Sequence, residues 1–221
     1  MSNSVQGKRP VVTVGGMFGQ PDYPAGYFAA TRLLIESGDV RALAMPIVYL
    51  QRHTAELIIK TILDGGYSVI ESTQRLQRAK AEPVLSFAIK STKGHKLSNL
   101  LDDAELALKA LGYNPPVIAG MRDLVNLIES MEGGDETRWR YDTLKNGKRS
   151  FPYPWPPSHN DMVSLPIHKI QELLARIVEE EQVGRWEEVM TEHGPEITSF
   201  ALSLSLDHQQ ISQELYSLGQ L

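Results

Sequence analysis

The stretch YLQRHTAELIIK, residues 49–60, carries both an apolar face and a polar one, and it determines the predicted fold. In a helix, which turns about 100° per residue, its aliphatic side chains cover a broad arc, as is typical of a helix packed on several sides. Four polar side chains share the opposite stripe, at i, i+4, i+7 and i+11: Tyr49, His53, Glu56 and Lys60. We therefore predict a helix over residues 41–64, ended by the Gly-Gly pair that follows it.

Apolar residues at helical spacing extend outward from this helix in both directions. The pattern predicts further helices over residues 23–37, 74–81, 96–111, 117–131, 165–181, 185–191 and 195–218. The alternation of strands and helices that builds a parallel-sheet nucleotide fold is absent. We expect one mainly α-helical domain spanning residues 1–221, with an irregular N-terminal segment (1–24) and an acidic C-terminal helical extension (165–221).

Residues 132–160 interrupt the helical pattern with an irregular insert. Asn146-Gly147 lies between residues of strand type, which predicts a β-hairpin turn. The Pro- and aromatic-rich run at 151–157 favours an extended chain over a helix. The bundle is therefore expected to carry a β-hairpin or irregular insert.

Composition and charge exclude several classes of protein. The 221 residues contain no cysteine, so a disulfide framework, a zinc finger, an iron–sulfur cluster and a Cys nucleophile are all excluded. The net charge is −5, yet residues 171–221 hold 2 basic and 10 acidic side chains, whereas residues 75–96 and 138–149 are locally basic. Such basic clusters can meet phosphates. The polar N-terminus and the lack of a long apolar run lead us to expect a cytoplasmic protein that does not enter the membrane.

Three motifs in order along the chain resemble one branch of the HEPN (higher eukaryotes and prokaryotes nucleotide-binding) superfamily. The first is Arg-His-x-x-Glu-Leu-x-x-Lys, which begins at Arg52, and the second is Gly-His-x-Leu-x-x-Leu, which begins at Gly94. The third is Trp139-Arg140-Tyr141, followed by the Gly turn, with Asp142 where the family pattern has Pro. The resemblance covers residues 44–147, under half of the chain.

The resemblance implies a helical bundle, often a homodimer, that binds RNA or nucleotide or acts as a metal-independent ribonuclease. It also implies an antiviral defence or toxin–antitoxin context. The usual ribonuclease signature has four to six residues between Arg and His. Here Arg52 and His53 are adjacent, so the chain departs from that signature.

A metal-independent ribonuclease needs a proton acceptor, a proton donor and a cation for the charged phosphorane. Imidazoles transfer protons near neutral pH, and guanidinium groups donate paired hydrogen bonds to phosphate. We predict five catalytic residues that can supply these groups: His53, Glu56, Lys60, His95 and Arg140. No His pair shows metal-ligand spacing, so neither a metal nor another cofactor is expected.

RNA or nucleotide contacts are predicted at six residues: Arg52, Tyr49, Tyr141, Lys145, Lys148 and Arg149. Two alternatives remain open at this point. The polar stripe can equally be a buried network that fixes how the helices pack. The acidic C-terminal helices also suit a non-catalytic protein that binds a protein partner through its helical surface.

Overall fold

Six helices form the part of the chain that the computed structural model describes, residues 23–91, 94–114, 117–133, 165–181 and 200–219. They are α1 (Tyr23–Glu36), α2 (Ala44–Ala79), α3 (Leu97–Ala110), α4 (Val117–Glu132), α5 (Ile167–Glu181) and α6 (Phe200–Ser217). These ranges contain no strand. The prediction of a mainly α-helical bundle is confirmed.

The 36-residue helix α2 is the axis of the bundle and packs against all five other helices. At 1.5 Å per residue it is about 54 Å long. Ile58, Ile59 and Ile62 span about 100° around α2 and are buried. Leu50 and Leu57, on the other side of the predicted apolar arc, are half-buried. The chain therefore covers one side of that arc fully and the other side partly.

The predicted end of this helix at the Gly-Gly pair is wrong. Gly65 and Gly66 lie inside α2, which also takes in residues 74–79, expected to start a separate helix. A Cβ on Gly65 would lie 3.4 Å from Leu204 of α6, and one on Gly66 would lie 3.5 Å from Ala107 of α3. A Cβ at either position would make only ordinary van der Waals contact with α3 or α6, so the approach of these helices does not require glycine. Their packing against α2 overrides the low helix propensity of the pair.

Two other glycines end helices. Gly38 follows α1 with φ +82°, and Gly112 follows α3 with φ +83°. After α3, the Gly112 N–H donates to the Lys109 carbonyl and the Tyr113 N–H donates to the Leu108 carbonyl. This pattern is a Schellman cap, which needs a residue that tolerates positive φ.

The chain that leaves α2 runs back along it in an extended form. Gln77 Oε1 accepts the backbone N–H of Leu85 at 2.7 Å. Gln74 Nε2 donates to the carbonyls of Leu85 and Phe87 at 2.9 and 2.8 Å. Further back along α2, the ring of Tyr67 lies 6.1 Å from that of Phe87. These contacts lead the segment toward the middle of α2, where the second predicted motif begins.

The remaining helix predictions agree with the structure where it describes them. The helices α1, α3, α4 and α5 begin and end within two residues of the expected positions, and α6 lies inside the expected range 195–218. The N-terminal segment 1–22, the predicted helix 185–191 and the insert from residue 134 onward lie outside the described residues. Within the described ranges, no helix is long and apolar enough to cross a membrane.

Candidate functional site

A buried arginine joins three separate parts of the chain. Arg52 on α2 is only 1% exposed, and its Nε donates to Oε1 of Glu132 at 2.5 Å. Its two terminal amino groups donate to Oε2 of Glu56 at 2.6 Å and to the backbone carbonyl of His95 at 2.7 Å. Glu132 is the last residue of α4, and His95 lies just before α3. Arg52 therefore fixes the end of one helix and the approach to another against α2.

Glu56, one turn after Arg52, is a hydrogen-bond acceptor shared by Lys60 and His95. It is 2% exposed, and its Oε1 accepts Lys60 Nζ at 2.9 Å. The same oxygen lies 2.8 Å from Nδ1 of His95. Because an ionised carboxylate can only accept hydrogen bonds, Nδ1 of His95 carries the proton in this contact. In the neutral imidazole, Nε2 is then the acceptor.

The pKa of Glu56 shows that the carboxylate form is strongly favoured. Burial by itself raises this pKa, but hydrogen bonds from Lys60, His95 and Arg52 outweigh burial and lower it to about 2 from an ordinary 4.5. Burial also lowers the pKa of Arg52, and the charge of Glu132 reverses that effect, so the net pKa is raised. Both groups are therefore charged at neutral pH.

The four permanent charges of this cluster cancel. Arg52 and Lys60 are positive, and Glu56 and Glu132 are negative. Opposite charges in contact offset the cost of removing each from water. Protonation of the His95 imidazole then adds one uncompensated positive charge to the cluster.

The cluster has a buried part and a solvent-accessible part. Arg52, Glu56 and Glu132 are all buried. The side chain of Lys60 is 23% exposed and that of His95 is 49% exposed. A ligand from solvent can therefore meet His95 and Lys60, whereas the other three side chains hold these two in place.

The backbone around His95 is fixed as well as its ring. Its carbonyl accepts Arg52, while its Nδ1 binds Glu56. Three residues further on, the Ser98 N–H at the start of α3 donates to Glu129 Oε1 of α4 at 2.8 Å. The imidazole thus presents its remaining nitrogen from a constrained position, as proton transfer requires.

The predicted residue His53 lies in an aromatic cluster on the same side of α2. Its ring stacks on Tyr49, with centroids 5.9 Å apart and planes 9° from parallel. Tyr27 of α1 contacts it edge-on, with centroids 4.8 Å apart. The structure therefore brings Glu56, Lys60 and His95 together, with His53 and Tyr49 further toward the start of α2.

The other predicted site residues divide between a buried position and the insert. Arg52, predicted to contact RNA, has its guanidinium enclosed by Glu56, Glu132 and the His95 carbonyl. The catalytic candidate Arg140 lies outside the described residues, and so do four predicted RNA-binding residues, for which the prediction stands as made: Tyr141, Lys145, Lys148 and Arg149.

Sequence reasoning missed Glu132 as a member of the cluster. A signal for it exists, because Glu132 continues the inward-facing series Met121, Val125 and Ile128 at helical spacing. An acidic residue at a core position is rarely buried without a cationic partner. That position predicts a buried ion pair, although it does not say with which residue.

Two cations of the basic stretch 75–96 are paired with acids of neighbouring helices. Lys80 contacts Glu214 of α6, and Lys90 binds Asp103 of α3 at 2.5 Å. Their hydrogen bonds to these carboxylates raise the pKa of both lysines. This stretch therefore offers fewer cations to a phosphate than its composition suggests, although Lys96 beside His95 is exposed.

A groove of about 440 Å³ lies between α2, α6 and the end of α3. Its polar lining includes Thr73, Gln77 and Asp207, and Asp207 accepts a hydrogen bond from the Tyr113 hydroxyl. None of its lining residues belongs to the cluster around Glu56. The described residues contain no group of three or more His, Asp or Glu side chains arranged to hold a metal ion.

Comparison of the chain with protein-family models, with curated proteins and with solved structures finds no match.

We expect Arg52→Met to lower the free energy of unfolding by about 3–5 kcal/mol, because it leaves the buried carboxylates of Glu56 and Glu132 without their shared cation. Urea denaturation followed by circular dichroism measures the loss. The matched control is Arg122→Met on α4, since Arg122 also pairs with two carboxylates but is partly exposed. The control should cost about 1 kcal/mol or less, and equal losses in the two variants would contradict the central role of Arg52.

The lowered pKa of Glu56 predicts an acid-dependent stability. Its folded pKa of about 2 lies below its ordinary 4.5, so the stabilisation is fully present above pH 4.5 and is lost as the pH falls toward 2. We expect the stability difference between the native chain and Glu56→Gln to shrink by up to about 3 kcal/mol from pH 5 to pH 2. Urea denaturation at each pH measures it. The exposed Glu71→Gln on the same helix is the control, and a constant difference for Glu56→Gln would refute the prediction.

Proposed function

We propose that the chain binds RNA through phosphate groups that contact His95 and Lys60. The observation that carries this proposal is the half-exposed imidazole of His95, hydrogen-bonded through Nδ1 to the buried, ionised Glu56. When the imidazole is protonated, both of its ring nitrogens donate. The outer nitrogen can then donate to a phosphate oxygen while the inner one keeps Glu56 as its acceptor.

The charge balance of the cluster supports an anionic ligand. Its four permanent charges cancel, so protonated His95 leaves a net charge of +1 next to a partly exposed Lys60. Lys96, one residue after His95, adds an exposed ammonium group. Phosphate contacts with such side chains release counterions from the nucleic acid, which makes binding depend on salt.

The resemblance of three motifs to the HEPN superfamily favours RNA over other phosphate ligands. Two of these motifs supply the cluster, since Arg52, Glu56 and Lys60 come from the first and His95 from the second. On the same ground, we propose a cytoplasmic role in an antiviral defence or toxin–antitoxin system.

The His95–Glu56 contact favours a second candidate function, metal-independent RNA cleavage. A neutral His95 can accept the proton of a ribose 2′-hydroxyl at Nε2, while Glu56 stabilises the resulting imidazolium. The 2′-oxygen then bonds to the adjacent phosphorus as the bond to the 5′-oxygen breaks. The 5′-oxygen takes a proton from water, and the imidazolium of His95 returns its proton to solvent. The products are a 2′,3′-cyclic phosphate and a 5′-hydroxyl.

We also propose that two copies of the chain associate. Apolar side chains on or next to α6 support this, because Leu206, Tyr216 and Leu218 are exposed. Since a homodimer with two-fold symmetry is the commonest oligomer, we expect light scattering at micromolar concentration to give twice the chain mass of 24.7 kDa. Leu206→Ser with Tyr216→Ser should restore the single-chain mass. A single-chain mass for the native protein would contradict the proposal.

Anisotropy of a fluorescent single-stranded RNA, measured in EDTA at several salt concentrations, tests RNA binding. The logarithm of the binding constant should fall linearly with the logarithm of the salt concentration. We expect Lys60→Gln to make this slope less steep by about 0.7, the contribution of one phosphate contact. His95→Gln should weaken binding, because it removes the imidazole nitrogen that donates to a phosphate oxygen. The matched control is Lys169→Gln, since Lys169 is exposed on α5 and should leave both properties unchanged.

The same samples separate binding from cleavage. Products with a 2′,3′-cyclic phosphate that appear in EDTA and vanish in His95→Gln would establish the ribonuclease. Bound but intact RNA would establish binding alone. A native protein that shows neither would overturn both candidates and favour the alternative that the helical surface binds a protein partner.

A further inference from the structure

Three partly exposed aromatic rings meet where α1 crosses the first turns of α2. The ring of His53 stacks nearly parallel on Tyr49, with an angle of 9° between their planes. Tyr27 of α1 meets the same imidazole edge-on, with 79° between the planes. All three side chains are half-buried, so each keeps part of its surface accessible to solvent. The edge contact fixes the orientation of His53, and the stacked contact holds Tyr49 parallel to it.

Tyr49 and His53 lie on the stripe of α2 that also carries Glu56 and Lys60. His53 precedes Glu56 by three residues, which is a rise of about 4.5 Å along the helix. Tyr49 and Lys60 are separated by about 16 Å along the same face. An RNA strand whose phosphate contacts His95 and Lys60 and which runs toward the start of α2 would reach Tyr49 and His53 within a short length of chain.

A surface that binds single-stranded nucleic acid has two parts, a cationic site and aromatic side chains beside it. The cations bind the backbone, and the rings stack with bases whatever their identity, because every base has a π-face. In a duplex those faces are covered by neighbouring base pairs. Aromatic contact with a base therefore requires an unpaired nucleotide.

We propose that the ring of Tyr49, supported on one face by His53, stacks with an unpaired base on its other face, so that the ligand of this site is single-stranded RNA. The proposal rests on the proposed function, since the cluster around Glu56 supplies the phosphate contact. Tyr27 acts through His53 as a positioning residue. The polar stripe thus has two parts, an aromatic one for a base and a charged one for the adjacent phosphates.

The test compares fluorescent oligouridylates by anisotropy in EDTA. One is a 2′-O-methyl octamer, which cannot be cleaved by its own 2′-oxygen, and the other carries the same phosphates but lacks the central bases. We expect the native chain to bind the complete octamer about tenfold more tightly than the abasic one, as loss of base stacking predicts. This preference should disappear in Tyr49→Ala and persist in Tyr49→Phe, which keeps the ring. A duplex of equal length should bind more weakly than the single strand.

Each outcome distinguishes this proposal from the one it rests on. Equal affinity of the native chain for the complete and abasic octamers would overturn base stacking, yet leave phosphate binding intact. A preference that survives in Tyr49→Ala would also overturn it. A merely structural role of Tyr49 would weaken both oligonucleotides alike and would not remove the difference between them. Failure of the native chain to bind either octamer would overturn the proposed function as well.

Discussion

The buried guanidinium of Arg52 is the constraint on which the rest of the site depends. A charge that is 1% exposed is tolerated only when opposite charges and acceptors surround it. The carboxylates of Glu56 and Glu132 and the carbonyl of His95 meet that requirement from three parts of the chain. The end of α4 and the approach to α3 are therefore held against α2 by one side chain. The position of His95 follows from this contact.

The length of α2 has the second largest effect on the architecture. Because α2 continues through Gly65 and Gly66, the chain must return along most of the helix before α3 begins. That return carries His95 back to Glu56, a residue 39 positions earlier in the sequence. A helix that ended at the glycines would leave α3 and α6 without the surface on which they pack. The continuation of α2 through the two glycines thus contributes to the site.

The polar stripe can be interpreted as a structural network or as a functional site. Both interpretations apply to the cluster around Glu56, because one part of it is buried and another is exposed to solvent. Arg52, Glu56 and Glu132 are buried and form the structural network that such a stripe can represent. His95 and Lys60 emerge from that network toward solvent, where they can meet a ligand. The carboxylate of Glu56 belongs to both parts, since it balances Arg52 below and orients His95 above. A stable core and an accessible surface group are therefore built from the same ion cluster.

The sequence by itself determined the helical class, the polar stripe of α2 and the caps at Gly38 and Gly112, because these features depend on residues within one or two turns of each other. It also indicated Glu56, Lys60 and His95 as candidates. Only the tertiary structure decided that Gly65 and Gly66 continue a helix, that Glu132 joins the cluster and that Arg52 is enclosed. Arg52 is 80 residues from Glu132 and 43 from His95. Local periodicity carries no information about such partners. A buried charge needs a counter-ion that is close in space, and that counter-ion can lie far away along the chain.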